Sequence, residues 1–169
     1  MVGLRKGRCY RHVKRPYTRK SKYKIKGFVK AIPPSKIIHF DMGNLQKPFP
    51  IELSLISKDA LQIRHNALES ARQIVNRRLT NLIGSTNFHL KVRTFPHHVL
   101  RENKMITGAG ADRMQTGMQQ AFGRPVGVAA QIKKGQKIMT VYGEEKDRQK
   151  MIIALKLAYP RLPGRLTIN

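Results

Sequence analysis

The stretch DALQIRHNALESARQIVNRRLTNLIG, residues 59–84, carries the clearest regular signal in the chain. Asp59 stands where a helix N-cap belongs, with Gln62 three positions on. Leu61, Leu68, Val75, Leu79 and Leu82 fall on one face, which Ala67, Ala71 and Ile74 widen. Gly84 supplies the stop, and Arg77 and Arg78 sit where cations favour a helix carboxy terminus. About 25 residues at ~1.5 Å each predict roughly 37 Å of helix, the main wall of a core. The opposite face carries Lys58, Arg64, Arg72 and Arg78, which either meet phosphate or face water.

Working outward, residues 31–50 mix turn signals with the short apolar run 37–40, read as a strand between turns. Ile51, Leu53 and Leu55 alternate with Glu52 and Ser54, as a half-buried strand does. Beyond the helix, Phe88, Leu90 and Val92 alternate with His89, Lys91 and Arg93, giving a strand with one apolar and one cationic face. Val126, Val128, Ala130 and Ile132 repeat the pattern, and the turn Lys133-Lys134-Gly135 leads into 138–142, which predicts a hairpin. Glu144, Glu145 and Asp147 mark the start of a second helix with Ile152, Leu155 and Tyr159 on its buried side. Pro160 stops that helix, and RLPGRLTIN reads as a turn and a short final strand. Strands and helices do not alternate regularly. The expected fold is therefore α+β, a two-layer sandwich of two main helices on a mainly antiparallel sheet, in one domain.

One stretch, 95–127, FPHHVLRENKMITGAGADRMQTGMQQAFGRPVG, has no sustained period. Gly108, Gly110, Gly117, Gly123 and Gly127 are interleaved there with Arg101, Lys104, Arg113 and Arg124. A long inserted loop over 97–125 is expected, and irregular connections above about 12–15 residues are usually functional or disordered. Two legs of roughly 13 residues each would reach about 40 Å at ~3.3 Å per residue. A mere linker would carry polar filler. This one holds Met105, Ile106, Met114, Met118 and Phe122, which suit docking against RNA or protein.

Charge narrows the partner. Thirty-four Lys and Arg against nine Asp and Glu leave a net +25 on 169 residues. Self-repulsion of that size disfavours a compact state unless a polyanion neutralises it. Residues 1–30 hold twelve Lys or Arg and no acid, punctuated by Tyr10, Tyr17, Tyr23 and Phe28. Cations interleaved with rings suit RNA, where charge meets phosphate and rings stack on unpaired bases. The arm, taken as 1–36, is thus an RNA-binding segment; a disordered basic tail or a targeting signal is the plainer alternative. The single Cys9 excludes an internal disulfide and suits a reducing compartment. No signal-peptide core and no run of 18 apolar residues occurs, so no membrane partner is expected.

Catalytic chemistry finds little footing. The carboxylates are scattered, and Glu102 and Asp112, which could face each other across the loop, have Arg101 and Arg113 beside them to keep them ionised. Cys9 and His12 make half a zinc spacing, with no second pair, since adjacent His97 and His98 diverge. The run 108–112 lacks the third glycine and the strand-to-helix context of a nucleotide site. No catalytic residue, metal or cofactor is expected. An enzyme acting on RNA through that run stays the weaker alternative.

Several segments occur together in order: Arg8-Cys9-Tyr10-Arg11, Arg15-Pro16-Tyr17-Thr18, Phe40-Asp41-Met42-Gly43, IRHNALE at 63–69, PHHVLRENKM at 96–105, GAGADR at 108–113 with Gly117-Met118, and Ala121-Phe122-Gly123. With these, the chain from residue 8 to about 165 resembles the archaeal and eukaryotic large-subunit ribosomal protein family called L-ten-e, counterpart of bacterial large-subunit protein sixteen. The resemblance implies an α+β sandwich that binds large-subunit ribosomal RNA below the central protuberance, near the small ribosomal RNA there and the elbow of aminoacyl-site transfer RNA. It also implies neighbouring ribosomal proteins, a cytoplasmic location, and a glycine-rich loop, here about 100–122, that points toward the peptidyl transferase centre without catalysing. RNA-binding residues are accordingly expected at Arg5, Arg8, Tyr10, Arg11, Lys14, Arg15, Tyr17, Arg19, Arg64, His65, Arg72, Lys91 and Arg93. Loop residues near transfer RNA are expected at Arg101, Lys104, Gly108, Gly110, Arg113, Gly117 and Arg124. Two departures stand out: Gln119 where the family often has arginine, and an expanded 19–30 segment whose lysines have no counterpart. The end at Asn169, without a long tail, points to the archaeal type. A free RNA- or DNA-binding basic protein outside the ribosome is the alternative.

Overall fold

The computed structural model describes residues 5–13, 29, 31–103 and 123–169. The strands are β1 (Asp41–Gly43), β2 (Ile51–Ser57), β3 (Leu61–Arg64), β4 (His89–Val92), β5 (His98–Glu102), β6 (Arg124–Ile132), β7 (Lys137–Gly143) and β8 (Leu166–Ile168). The helices among the described residues are α1 (His65–Ile83) and α2 (Arg148–Lys156). Five strands form one sheet in the order β1-β4-β7-β2-β8, and three form another in the order β3-β6-β5. Among the described residues every pairing is antiparallel, and the fold is α+β, with two helices and antiparallel sheets.

The helices pack on each other, α1 also against β3 and β6, and α2 against β2 and β7. Leu68, Ala71, Val75 and Leu79 of α1 meet Met151, Ala154 and Leu155 of α2 in one core with Leu55, Ile63, Phe88, Leu90 and Met139. Each fully buried Leu or Phe stabilises the fold by about 1.5–3 kcal/mol. Phe88, Leu90 and Val92 point inward as their alternation requires. Gly84 is the C-cap of α1, its N–H donating to Thr80 O at 3.0 Å. The final turn and strand fall where the last nine residues place them.

Five expectations need correction. The helix does not begin at Asp59: Leu61–Arg64 is strand β3, paired with β6 as Leu61↔Ile132 and Ile63↔Ala130, and α1 has 19 residues. Leu61, Gln62 and Ile63 are all buried, so pairing with β6 outcompetes a first helical turn whose Gln62 would face water. Asp59 is instead bound by Arg165, and Lys58 and Arg64 lie off the helix face.

The expected hairpin is the second correction, because β6 and β7 belong to different sheets. The Lys133-Lys134-Gly135 turn does exist, but it hands the chain from one sheet to the other. Third, the 97–125 stretch is not all loop, since His98–Glu102 pairs with β6 and buries Val99 and Leu100. Fourth, 37–40 is not a strand: Ile37 is buried and Phe40 O accepts from Val92 N at 2.7 Å, but the ladder starts at Asp41. Fifth, Tyr159 is exposed, because α2 ends at Lys156 and a short 3-10 turn, Tyr159–Arg161, swings its ring outward.

Candidate nucleic-acid interface

Strand β3 lies at one edge of the three-stranded sheet, and the amino-terminal arm covers it. Gln62 N donates to Arg11 O at 2.9 Å, and its side-chain Nε2 donates to Tyr10 O at 2.8 Å. Arg64 Nη1 donates to Arg5 O at 3.0 Å, while its guanidinium lies 5.5 Å from the centre of the Tyr10 ring. Between these anchors Gly7–Tyr10 forms a 3-10 turn, which keeps Lys6, Arg8 and Arg11 exposed.

The arm also reaches the last residue of β5, where the glycine-rich segment departs. Arg5 Nε lies 3.0 Å from Glu102 Oε1, and the Tyr10 hydroxyl donates to Glu102 Oε2 at 3.1 Å. Burial, followed by the Glu102 carboxylate, raises the Tyr10 phenol above its ordinary value. In register, Glu102 faces Arg124, the first residue of β6, so both ends of the glycine-rich segment meet beside the arm.

A buried polar cluster supports the anchor. His98 Nδ1 donates to Gln62 Oε1, and Gln131 Nε2 donates to the same oxygen at 3.3 Å. This leaves Gln62 Nε2 aimed at the arm. Burial, then electrostatic interaction with His97 and Arg101, pushes the His98 pKa down, which favours the neutral ring. Gln62 and His98 were expected as a helix cap and part of a loop; only the pairing of β3, β6 and β5 brings them together.

The other expected contacts fall in separate places. His65, first in α1, accepts Lys36 N–H at its Nδ1 at 3.1 Å, and its pKa is lowered by burial, then by Lys36 and Arg64. Arg72 is bound to Glu69 through two nitrogens and donates to Met42 Sδ at 3.0 Å. Lys91 and Arg93 lie on the five-stranded sheet, Lys91 Nζ 3.5 Å from Asp41 and Arg93 5.9 Å from the centre of the Tyr142 ring. Lys14, Arg15, Tyr17, Arg19, Lys104, Gly108, Gly110, Arg113 and Gly117 lie outside the described residues. Among the described residues no group of His, Cys, Asp and Glu could hold a metal ion, and no helix is long and apolar enough to cross a membrane.

Residues 13–169 match the sequence model of the family described as ribosomal protein L16p/L10e. The chain belongs to this family. It is 48% identical over 157 residues to "Large ribosomal subunit protein uL16" of Methanoculleus marisnigri, covering 92% of this chain and 89% of that protein. The protein of the same name from Methanosphaerula palustris is 47% identical over 96% of this chain and 92% of its own length. That of Archaeoglobus fulgidus is 44% identical over 92% of this chain and 86% of its own. Members of the L16p/L10e family are structural ribosomal proteins, and this chain is not an enzyme.

Proposed function

We propose that this chain is a structural constituent of the large ribosomal subunit in the cytoplasm, where it binds large-subunit ribosomal RNA and helps to position transfer RNA near the peptidyl transferase centre. In this reading the body is a two-layer sandwich and 1–36 its RNA-binding arm. The 97–125 stretch approaches transfer RNA, with the strand residues Arg101 and Arg124 at its two ends and Lys104 and Arg113 between them as its cationic contacts. The small ribosomal RNA of the central protuberance and neighbouring ribosomal proteins are its further partners.

One observation carries the reading: Glu102 anchors the arm at the root of the glycine-rich segment while Lys6, Arg8 and Arg11 stay exposed. Fixing cations on a folded edge lowers the ordering cost of meeting phosphate. Large-subunit ribosomal RNA is the polyanion that the family and a net charge of +25 call for.

Six to ten phosphate contacts would weaken binding to isolated ribosomal RNA about 10³–10⁵-fold between 50 and 200 mM salt. Stoichiometric co-sedimentation with the large subunit is the accompanying result. A nearly flat salt titration, or a chain that sediments apart from the subunit, overturns the proposal and favours a free nucleic-acid-binding protein. Deleting 103–115 should spare incorporation and impair translation; failed incorporation would make that segment an assembly element instead.

A further inference from the structure

His98, on β5, is a titratable side chain only 6% exposed, and its hydrogen-bond contacts are side-chain amides. In register His98 faces Ala129 on β6, while Gln62 on β3 faces Gln131, two residues further along. His98, Gln131 and Gln62 therefore share one face of the three-stranded sheet. Ala129 carries only a methyl group, which leaves the way open for the imidazole to lean across β6 to Gln62.

The orientation of the Gln62 amide follows from what each neighbour can do. Tyr10 O, 2.8 Å away, is a carbonyl and can only accept, so the amide nitrogen must face it. The amide oxygen then faces inward, and it too can only accept. His98 Nδ1 meets it there and must carry the proton, and Gln131 Nε2 is a second donor at 3.3 Å. Turned round, the amide would set Nε2 against these two donors and Oε1 against Tyr10 O, leaving buried polar atoms unpaired. The Gln62 backbone N–H reaches Arg11 O at 2.9 Å whatever its side chain does. What the side chain adds is the hold on the backbone at Tyr10, beside the exposed Arg8 and Arg11.

We propose that His98 is a positioning residue for RNA binding: its Nδ1–H fixes the Gln62 amide in the orientation that holds Tyr10 O, and so sets where Arg8 and Arg11 meet phosphate. Too buried to touch RNA itself, it acts only through Gln62. Without it the inward donors drop from two to one and the amide turns more freely, so that ordering the arm becomes part of the cost of binding. The same cations still reach phosphate in the complex. Affinity therefore falls while its salt dependence stays. This rests on the RNA-binding reading above, and the test separates the two.

Affinity for isolated large-subunit ribosomal RNA is measured over a salt series for the native chain, His98→Asn, His98→Gln and His98→Leu. An asparagine side chain places its amide nitrogen where Nδ1 stands, whereas glutamine places it further out, where Nε2 stands. His98→Asn should bind as the native chain does. His98→Gln and His98→Leu should bind about 2–12-fold more weakly, the worth of one net hydrogen bond, at an unchanged slope of log affinity against log salt. In a Gln62→Leu chain, His98→Leu should weaken binding no further. Native affinity in His98→Gln and His98→Leu, a loss in His98→Asn equal to theirs, a slope that falls with affinity, or additive losses with Gln62→Leu overturns the positioning role and leaves RNA binding intact. A native chain that binds without salt dependence overturns the RNA-binding reading, and the positioning role with it. If circular dichroism shows that His98→Leu does not fold, the contrast between His98→Asn and His98→Gln decides.

Discussion

The Tyr10 hydroxyl donates to Glu102 Oε2 at 3.1 Å, joining the amino-terminal arm to the end of β5 across a sequence separation of 92 residues. Arg5, on the same carboxylate, has a side chain 48% exposed, so solvent screens it and that pair alone contributes under about 1 kcal/mol. The phenol, donating to an ionised acceptor, contributes about 1–2 kcal/mol to holding the arm. Glu102→Ala should therefore release the arm while the core stays folded. The reporter is the Gln62 amide, bonded to Arg11 O, whose hydrogen exchange should speed up roughly tenfold or more. Tyr10→Phe should give a smaller change in the same direction. Equal protection of that amide in Glu102→Ala and the native chain would mean that the carboxylate does not anchor the arm.

The His98 ring, buried against Gln62 and Gln131, makes stability depend on pH in a known direction. Its folded-state pKa lies below the unfolded value of about 6.5, because burial disfavours the imidazolium. The unfolded chain therefore binds the proton more readily. Stability from this group is complete above about pH 6.5 and declines as pH falls below it. His65 shifts the same way and adds to the slope. His98→Asn keeps a donor for Gln62 Oε1 but cannot titrate, so denaturation midpoints between pH 7 and 5 should flatten, leaving the share from His65. A slope as steep as that of the native chain would assign the whole effect elsewhere.

Local patterns were legible where one element decided its own burial. The i, i+3, i+4 spacing of Leu68, Ala71, Val75 and Leu79 gave the helix, and the alternation at Phe88, Leu90 and Val92 gave the strand, since each pattern needs only an inside. Boundaries failed where a distant partner decided. Leu61 and Ile63 fit a helical stripe as well as a buried strand, and only β6, some seventy residues on, selects the strand. Val99 and Leu100 looked like loop for the same reason. The arm's cations were visible from composition. Their anchor was not, because Gln62, His98 and Glu102 meet only through pairing in the three-stranded sheet.

Asp59 gives an acid-side prediction. Arg165, hydrogen-bonded to it by side chain and backbone, holds its pKa down to about 2. Stability from this pairing is present above the unfolded value near 3.8 and is lost as pH falls through about 2. Arg165→Ala should raise the Asp59 pKa toward its ordinary value, followed by its carboxyl chemical shift in a pH titration. The backbone bond from residue 165 survives that substitution, so the rise should be incomplete. An unmoved titration curve would show that the backbone N–H, not the guanidinium, holds the carboxylate.

Gly164 and Leu61 supply a test of where β3 sits. Leu61 is 3% exposed, so Leu61→Ala should cost about 2–5 kcal/mol. Gly164 has φ +83, and a Cβ there would stand 2.2 Å from Leu61 Cδ2. Gly164→Ala thus combines left-handed strain of about 1–2 kcal/mol with an overpacking cost of about 1–3 kcal/mol. In the double variant Cδ2 is gone and the overpacking with it, while the backbone strain remains. Urea denaturation of the four proteins should therefore give a double-variant loss smaller than the sum of the single losses by about 1–3 kcal/mol. If residues 61–64 continued α1 instead, Leu61 would leave the Gly164 turn and the two losses would add. Additivity within about 0.5 kcal/mol would thus reject β3 and restore the longer helix.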